Sequence, residues 1–211
     1  MKRKIIKDNA KTRVGTAVRE KGVERVDEII RTAKDIFITK GLANLTTRQV
    51  ANNLCISVGN LHYYFPTKDA LLQAIINSVI EDYDIDLKRE SHQFPHSPNK
   101  RLEAFVRYMV SDAKKADTRG FFYQFWGLST HNAFAASLRH EMYQHFIQIT
   151  AGMLSDIHPK MSRKRIEGLA LAMLTFIEGL HVTYGSSDTL LEDFPDFDET
   201  AYLQIMKLAM A

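Results

Sequence analysis

Two short amphipathic segments separated by three residues constrain the fold of this chain more than any other feature. Residues 46–65 read TTRQVANNLCISVGNLHYYF. Thr46, with Gln49 three positions later, forms a capping-box pattern, and Ser57 is a favoured residue at a helix N-terminus. The two predicted helices are then joined only by Cys55-Ile56-Ser57. A pair of helices with such a short turn is typical of a helix-turn-helix motif.

The second of these helices carries a polar, aromatic face. At about 100° per residue, the side chains predicted to point inward are those of Val58, Leu61 and Phe65. Those predicted to point outward are Gly59, Asn60, Tyr63 and Tyr64, with His62 at the boundary. The outward groups suit phosphates and base edges of DNA, and a glycine there would let a backbone approach closely. The alternative is a surface aromatic patch that packs on a neighbouring helix.

Apolar residues at helical spacing predict helices through the rest of the chain, and no segment shows a convincing strand alternation. The first helix is expected within residues 23–41, with Val26, Ile30, Ala33 and Phe37 on one face. Pro66 ends the third helix, and Thr67 caps a long fourth helix that extends to residue 90. Later helices are expected at 99–115, 119–130, 132–157, 162–184 and 198–210. The predicted fold is all-α, with an N-terminal helix-turn-helix domain and a C-terminal helical bundle.

Charge is distributed unevenly along the chain. Residues 1–70 contain 14 Lys/Arg against 7 Asp/Glu, whereas residues 71–211 contain 14 against 18. A basic end joined to an acidic remainder indicates that one end meets a polyanion and the other does not. A basic tail without a role is the alternative.

Several classes of protein are excluded by what the sequence lacks. No apolar run of signal-peptide type is present near the N-terminus, and no apolar stretch approaches the roughly 20 residues that span a bilayer. The single cysteine, Cys55, excludes an internal disulfide and a cysteine-rich zinc site. The histidines are scattered, and no phosphate loop, nucleophile elbow or paired catalytic carboxylate is recognisable. We therefore expect a cytoplasmic protein that is not an enzyme and needs neither a metal nor a cofactor.

The N-terminal motif resembles the tetracycline-repressor (TetR) family of bacterial transcription regulators. The resemblance is carried by Thr46-Thr47-Arg48-Gln49-Val50-Ala51, Ser57-Val58-Gly59-Asn60-Leu61, Tyr63-Tyr64-Phe65 and Lys68-Asp69-Ala70-Leu71. It covers roughly residues 23–72. Two positions depart from the family pattern, because Cys55 stands where the family usually has Gly and His62 where it usually has Tyr. A left-handed turn residue costs more as Cys than as Gly, which leaves another turn conformation open.

The resemblance implies three regions: a basic arm at 1–22, a DNA-binding domain at 23–70, and a ligand-binding and dimerisation domain at 71–211. The residues expected to contact a double-stranded DNA operator are Thr47, Arg48, Ser57, Val58, Gly59, Asn60, His62, Tyr63, Tyr64 and Lys68. Arg13 of the arm is expected to reach the minor groove. A frayed arm that adds only non-specific attraction is the alternative.

Large apolar residues fill the later helices, and helical bundles place ligand cavities between helices. The residues expected to meet a small, largely apolar effector are Phe105, Met109, Phe122, Trp126, His145, Met173, Glu178 and His181. Most of these types are ordinary core residues, and a solvent-facing Glu178 is an open alternative.

A homodimer is expected because one recognition helix reads too few base pairs to select a genomic site. The resemblance places the interface on the last two long helices, at Leu169, Met173, Ile177, Leu180, Tyr202, Ile205 and Met206. The alternative is that these side chains close the monomer core. The expected function is a ligand-responsive repressor that binds a palindromic operator. Two alternatives stay open: a DNA-bound protein whose C-terminal part binds another protein, and a small-molecule-binding or enzymatic domain with an incidental basic end.

Overall fold

The computed structural model describes residues 20–186 and 192–211, and these residues form nine α-helices without a strand. The helices are α1 (Glu20–Lys40), α2 (Thr47–Asn53), α3 (Val58–Tyr64), α4 (Lys68–His92), α5 (Pro98–Ala113), α6 (Ala116–Ser129), α7 (Ala133–Ile157), α8 (Arg163–Ser186) and α9 (Phe197–Ala209). The all-α prediction is confirmed.

Side-chain caps fix where the short N-terminal helices begin. The backbone N–H of Gln49 donates to Oγ1 of Thr46 at 3.1 Å, and that of Asn60 donates to Oγ of Ser57 at 3.1 Å. Thr67 caps α4 in the same way at 3.0 Å. Each contact satisfies a donor that the first turn of a helix leaves without an intrahelical partner.

The described chain divides into two compact units. The first contains the described residues up to Asp82 together with Gln124–Leu138, and the second contains Tyr83–Tyr123 together with the described residues of Arg139–Ala211. The core of the first unit includes Ile29, Phe37, Leu45, Leu61 and Phe65, all with no exposed surface. Ile29 takes the inner position on α1 that was predicted for Ile30, which is only half-buried.

In the second unit, α5, α8 and α9 pack against one another. Apolar side chains of α8 provide much of the contact, since Met173, Ile177 and Leu180 are buried. Two surface ion pairs join α5 to α9, Arg107 with Glu199 at 3.0 Å and Lys114 with Asp198 at 2.6 Å.

Helix α8 corrects one expectation from the sequence. Residues Arg163–Gly185 are long and apolar enough, by length and composition, to cross a membrane. Glycine, alanine and threonine lie between its larger apolar residues and hide this property from a search for an unbroken apolar run. The same composition is found in core helices, and one side of α8 packs on α5 and α9.

Candidate nucleic-acid interface and effector site

The turn between α2 and α3 keeps a left-handed residue without using glycine. Cys55 has a φ of 53° and is exposed. The backbone N–H of Cys55 donates to the carbonyl of Asn52 at 3.1 Å, and that of Ile56 donates to the carbonyl of Ala51 at 3.0 Å. These bonds hold a conformation that costs a non-glycine residue roughly 1–2 kcal/mol. The other turn conformation left open by the sequence is therefore not adopted.

Helix α3 has the two-faced character predicted for a recognition helix. Leu61 and Phe65 have no exposed surface, whereas Gly59, Asn60, His62 and Tyr63 are exposed. Tyr64 is half-buried and meets Tyr63 edge-on, with ring centroids 5.1 Å apart.

Val58 is the exception to the predicted inward face of α3, because 38% of its surface is exposed. It is the first residue of the helix, where the chain has just left the turn, so helical periodicity does not yet fix its direction. An exposed Val58 is compatible with its predicted place among the DNA-contacting residues. Beside it, a Cβ added at Gly59 would meet only Oγ of Ser57, at 3.9 Å.

The remaining residues predicted to contact DNA lie at helix starts. Thr47 is half-buried and Arg48 is exposed in the first turn of α2, where free N–H groups and the helix dipole favour a phosphate. Lys68 is exposed at the first position of α4, and its ammonium group donates to the carbonyl of Leu42 at 2.9 Å. The N-terminal arm, with Arg13, lies outside the described residues.

The structure divides the predicted effector residues between the two units. Phe105, Met109, Phe122, Met173 and His181 are buried in the second unit. His145 is half-buried there, and its Nε2 lies 2.8 Å from Oδ1 of Asp84 on α4. Trp126 belongs to the first unit. Among the predicted effector residues, His181 lies next to both Phe122 and Glu178.

Buried His181 and half-buried Glu178 form a polar pair on α8. Nε2 of His181 lies 3.9 Å from Oε2 of Glu178, beyond hydrogen-bond range, and the His181 ring packs on Phe122 with centroids 4.7 Å apart. Burial raises the pKa of the Glu178 carboxyl to about 8, which a hydrogen bond with Tyr143 only partly opposes. Burial also lowers the pKa of the His181 imidazole to about 4. The pair is therefore largely uncharged near neutral pH.

A second buried polar group was missed by sequence reasoning. The Tyr83 hydroxyl donates to Oδ2 of Asp112 at 2.5 Å, the Thr118 hydroxyl donates to the same oxygen at 3.3 Å, and Nζ of Lys115 lies 2.8 Å from Oδ1. Burial, followed by the charge of Asp112, raises the pKa of Tyr83 well above its usual value. In the sequence Tyr83 is only one of several residues at apolar helical spacing on α4, and no pattern marks Asp112 as buried.

Two grooves are described on the second unit, and neither contains a predicted effector residue. One, of about 310 Å³, is lined by Arg107, Val110, Ser111, Lys114, Asp198, Glu199 and Tyr202. The other, of about 410 Å³, is lined by His158, Pro159, Lys160, Met161 and Arg165. The charged groups of the first groove already pair with one another across α5 and α9.

Most residues predicted at a dimer interface lie inside their own unit. Met173, Ile177, Leu180, Tyr202 and Ile205 are buried, and Leu169 and Met206 are half-buried. The exposed apolar residues of the same two helices are instead Leu171, Phe176 and Val182 on α8 and Leu203 and Met210 on α9. We call these five residues the outer α8–α9 face.

Helix α3 is capped by Ser57, is anchored by two buried side chains and exposes its other side, so that it forms a helix-turn-helix motif with α2. A family model described as bacterial regulatory proteins of the tetR family matches residues 29–75. The HTH-type transcriptional regulator BetI of Burkholderia thailandensis is 28% identical over 142 residues, which are 66% of this chain and 71% of BetI. The chain is a TetR-family transcriptional regulator.

Solved structures show the same fold along most of the chain. A putative TetR-family regulator from Rhodococcus sp. superposes with a TM-score of 0.72 at 16% identity, over 89% of this chain and 99% of that one. A putative transcriptional regulator from Saccharomonospora viridis, solved in complex with choline, superposes with a TM-score of 0.61 at 19% identity, over 84% of this chain and 96% of that one.

Proposed function

We propose that this regulator is a repressor that binds a palindromic operator as a homodimer and releases it when a small molecule enters the C-terminal helices. The observation that carries the DNA-binding part is the exposed face of α3 above buried Leu61 and Phe65. The protein would divide into an arm at 1–22, a DNA-binding domain at 23–70 and an effector and dimerisation domain at 71–211.

Each part of the helix-turn-helix motif would have its own role on DNA. Asn60, His62, Tyr63 and Tyr64 would meet base edges and the sugar-phosphate backbone in the major groove, with Ser57 and Val58 at the groove edge. Gly59 would allow the DNA backbone to approach. Thr47, Arg48 and Lys68 would bind phosphates, and Arg13 of the arm would enter the minor groove.

A selection from random duplexes followed by fluorescence anisotropy tests DNA binding. We expect an inverted-repeat sequence whose affinity falls about 10³- to 10⁵-fold between 50 and 200 mM salt, as for a protein that contacts roughly 6–10 phosphates. Failure to enrich any sequence would contradict operator recognition, and affinity that hardly changes with salt would contradict the phosphate contacts. A reporter gene placed behind the selected sequence then distinguishes repression from activation.

The outer α8–α9 face supports the homodimer, with a second copy of the chain as its occupant. Leu171, Phe176, Val182 and Leu203 keep between 36% and 58% of their surface exposed, although they lie on helices that pack together. On α8, a Cβ added to the exposed residues Gly168 or Gly179 would meet nothing within 4 Å. Small residues bordered by large apolar ones allow the backbone of another helix to approach closely and bury the neighbouring side chains.

Light scattering after size-exclusion chromatography tests the dimer with variants that charge this face. We expect Leu171→Asp and Val182→Asp to convert a dimer to a monomer. Ile85→Asp, which charges an equally exposed apolar side chain on α4, should leave the dimer intact. A monomeric wild-type protein would reject the homodimer and leave the face available to another protein, which is the alternative that the sequence left open.

The effector part rests on the polar pair Glu178 and His181 among buried apolar residues of the second unit. Phe105, Met109, Phe122 and Met173 would provide apolar contacts, with His145 and Trp126 as further candidates. The choline complex of the Saccharomonospora regulator supports a small-molecule site in this fold. Trp126 is the sole tryptophan of the chain. An effector should therefore change its fluorescence and lower operator affinity together, whereas binding without loss of operator affinity would contradict ligand-controlled release.

A further inference from the structure

The side chain of Glu178 is one of the candidate contacts of the proposed effector site, and its role in ligand recognition rests on that proposed function. Its side chain is 19% exposed, so it is mostly removed from solvent without being sealed off. Among the residues that the structure describes, none donates a hydrogen bond to its buried Oε2 atom. A buried polar oxygen without a hydrogen-bond partner costs free energy, and a cationic group of a ligand would provide a partner for the ionised carboxylate.

The surroundings of Glu178 add aromatic groups and little competing positive charge. Tyr143 on α7 hydrogen-bonds with its carboxylate, and Phe122 on α6 packs on the neighbouring ring of His181. Aromatic faces attract cations, most strongly where water is excluded. A carboxylate beside aromatic rings is therefore suited to an ammonium group that carries apolar substituents.

The charged and titratable groups near the pair come from four other helices. Tyr83 of α4 is influenced by the charge of Glu178, and His181 is influenced by Asp112 of α5 and Arg119 of α6. Tyr143 of α7 completes the set. Asp112 is already bound by Tyr83, Thr118 and Lys115, whereas Arg119 donates to the backbone carbonyl of Lys114. Glu178 is thus the carboxylate in this set that keeps an oxygen available to a ligand.

We propose that the effector is an organic cation, an amine or quaternary ammonium with apolar substituents, whose positive charge is bound by the Glu178 carboxylate beside Phe122 and Tyr143. The charge selects the ligand, and the surrounding apolar side chains supply the remaining contacts. Since Glu178 is largely protonated near neutral pH when no ligand is bound, a bound cation should also displace its proton.

Calorimetric titration of the full-length protein tests this with two pairs of ligands that have similar shape and differ in charge. The pairs are choline with 3,3-dimethyl-1-butanol, and phenyltrimethylammonium with tert-butylbenzene. We expect at least one cation to bind at least 10-fold more tightly than its neutral counterpart. We also expect the heat at pH 7 to vary with the ionisation enthalpy of the buffer, because a proton is released. Equal binding within both pairs, or no binding of either cation, would overturn the proposal even if the wild-type protein folds and binds its operator.

Substitution of the carboxylate locates the charge recognition. Glu178→Gln should weaken the preferred cation at least 10-fold and abolish the buffer-dependent heat, while the neutral counterpart is little affected. Glu141→Gln, the same change at an exposed position of α7, should do neither. If a folded Glu178→Gln protein bound the cation as tightly as the wild-type protein, a group other than Glu178 would recognise the positive charge. Operator affinity, measured separately without ligand, shows whether the proposed regulatory function fails independently of cation binding.

Discussion

The ammonium group of Lys68 donates a hydrogen bond to the backbone carbonyl oxygen of Leu42 at 2.9 Å. This contact ties the first turn of α4 to the loop that connects α1 with α2. Sequence reasoning assigned Lys68 to a DNA phosphate alone, with a solvated charge as the alternative. The structure adds a contact within the protein. The Lys68 side chain would therefore both stabilise the helix-turn-helix motif and attract DNA electrostatically.

Replacement of Lys68 should therefore change both stability and DNA affinity. We expect Lys68→Ala to lower the free energy of unfolding by about 0.5–1.5 kcal/mol, through loss of the bond to Leu42. It should also weaken specific and random duplexes to the same extent and reduce the salt slope by about 1. Thermal unfolding and salt-dependent anisotropy measure the two effects separately. Lys88→Ala, at an exposed position of the same helix, is the control and should change neither.

Gly59 offers a test of close DNA approach that leaves the protein fold intact. An added Cβ would meet only Oγ of Ser57, at an ordinary contact distance of 3.9 Å, and alanine favours a helix by up to about 1 kcal/mol relative to glycine. We therefore expect Gly59→Ala to keep or slightly raise the melting temperature while it reduces operator affinity. Gly152→Ala on α7, where an added Cβ would meet nothing within 4 Å, should leave affinity unchanged. Full operator affinity in Gly59→Ala would mean that no DNA group approaches this position.

Asn60 and Tyr63 should determine sequence preference and contribute less to general affinity. Both side chains are exposed on α3. Loss of a good base contact costs about 1–3 kcal/mol at one base pair. We expect Asn60→Ala and Tyr63→Ala to reduce discrimination at one position of each half-site in a competition between operator variants. Asn53→Ala, exposed at the end of α2, serves as control. A uniform loss on operator and random DNA would reassign Asn60 to the backbone.

The fold could be predicted from the sequence because its signals are local. The side chains of Thr46, Ser57 and Thr67 each cap a helix by accepting a hydrogen bond from the backbone N–H group three residues later. The residues at apolar helical spacing on α4 are all buried, namely Leu71, Leu72, Ile75, Ile76, Val79, Ile80, Tyr83 and Leu87. Helical spacing and capping need no knowledge of the tertiary structure.

Prediction was weaker where the result depends on which helix packs on which. Periodicity identifies an apolar residue but does not distinguish the interior of a monomer from its contact with a partner. The resemblance predicts Ile177 and Ile205 at a dimer interface; within the chain these two residues are buried, whereas Leu171 and Leu203 are exposed. The pairing of Tyr83 with Asp112 likewise joins residues 29 positions apart, and no local pattern announces it.

Removal of the Tyr83 hydroxyl should destabilise the second unit, because Asp112 is only 5% exposed and would lose its closest hydrogen-bond donor. We expect Tyr83→Phe to lower the free energy of unfolding by about 1–3 kcal/mol, the cost of an incompletely satisfied buried polar group. Tyr63→Phe removes an equivalent hydroxyl from an exposed ring and should cost much less. Chemical denaturation measures both variants, and equal stability of the two would show that the bond to Asp112 contributes little.

The opposite pKa shifts of Glu178 and His181 predict how stability depends on pH. The folded-state pKa of Glu178 is raised from 4.5 to about 8, so its contribution to stability is complete below 4.5 and is lost as pH rises through 8. The folded-state pKa of His181 is lowered from 6.5 to about 4, so its contribution is complete above 6.5 and is lost as pH falls through 4. Stability from this pair should therefore decline toward both extremes and be greatest between them.

Glu178→Gln isolates the alkaline side of this dependence, because glutamine keeps the shape of the side chain and cannot ionise. A pKa difference of one between the folded and unfolded states corresponds to about 1.4 kcal/mol of stability. The free energy of unfolding of the variant should therefore rise relative to that of the wild-type protein by about 2–4 kcal/mol between pH 5 and pH 9. Melting temperatures measured across that range give the difference, and groups that titrate alike in both proteins cancel. Glu141→Gln, which removes an exposed carboxylate, should follow the wild-type curve. Parallel curves for Glu178→Gln and the wild-type protein would mean that the Glu178 carboxylate ionises in the folded state as readily as in water.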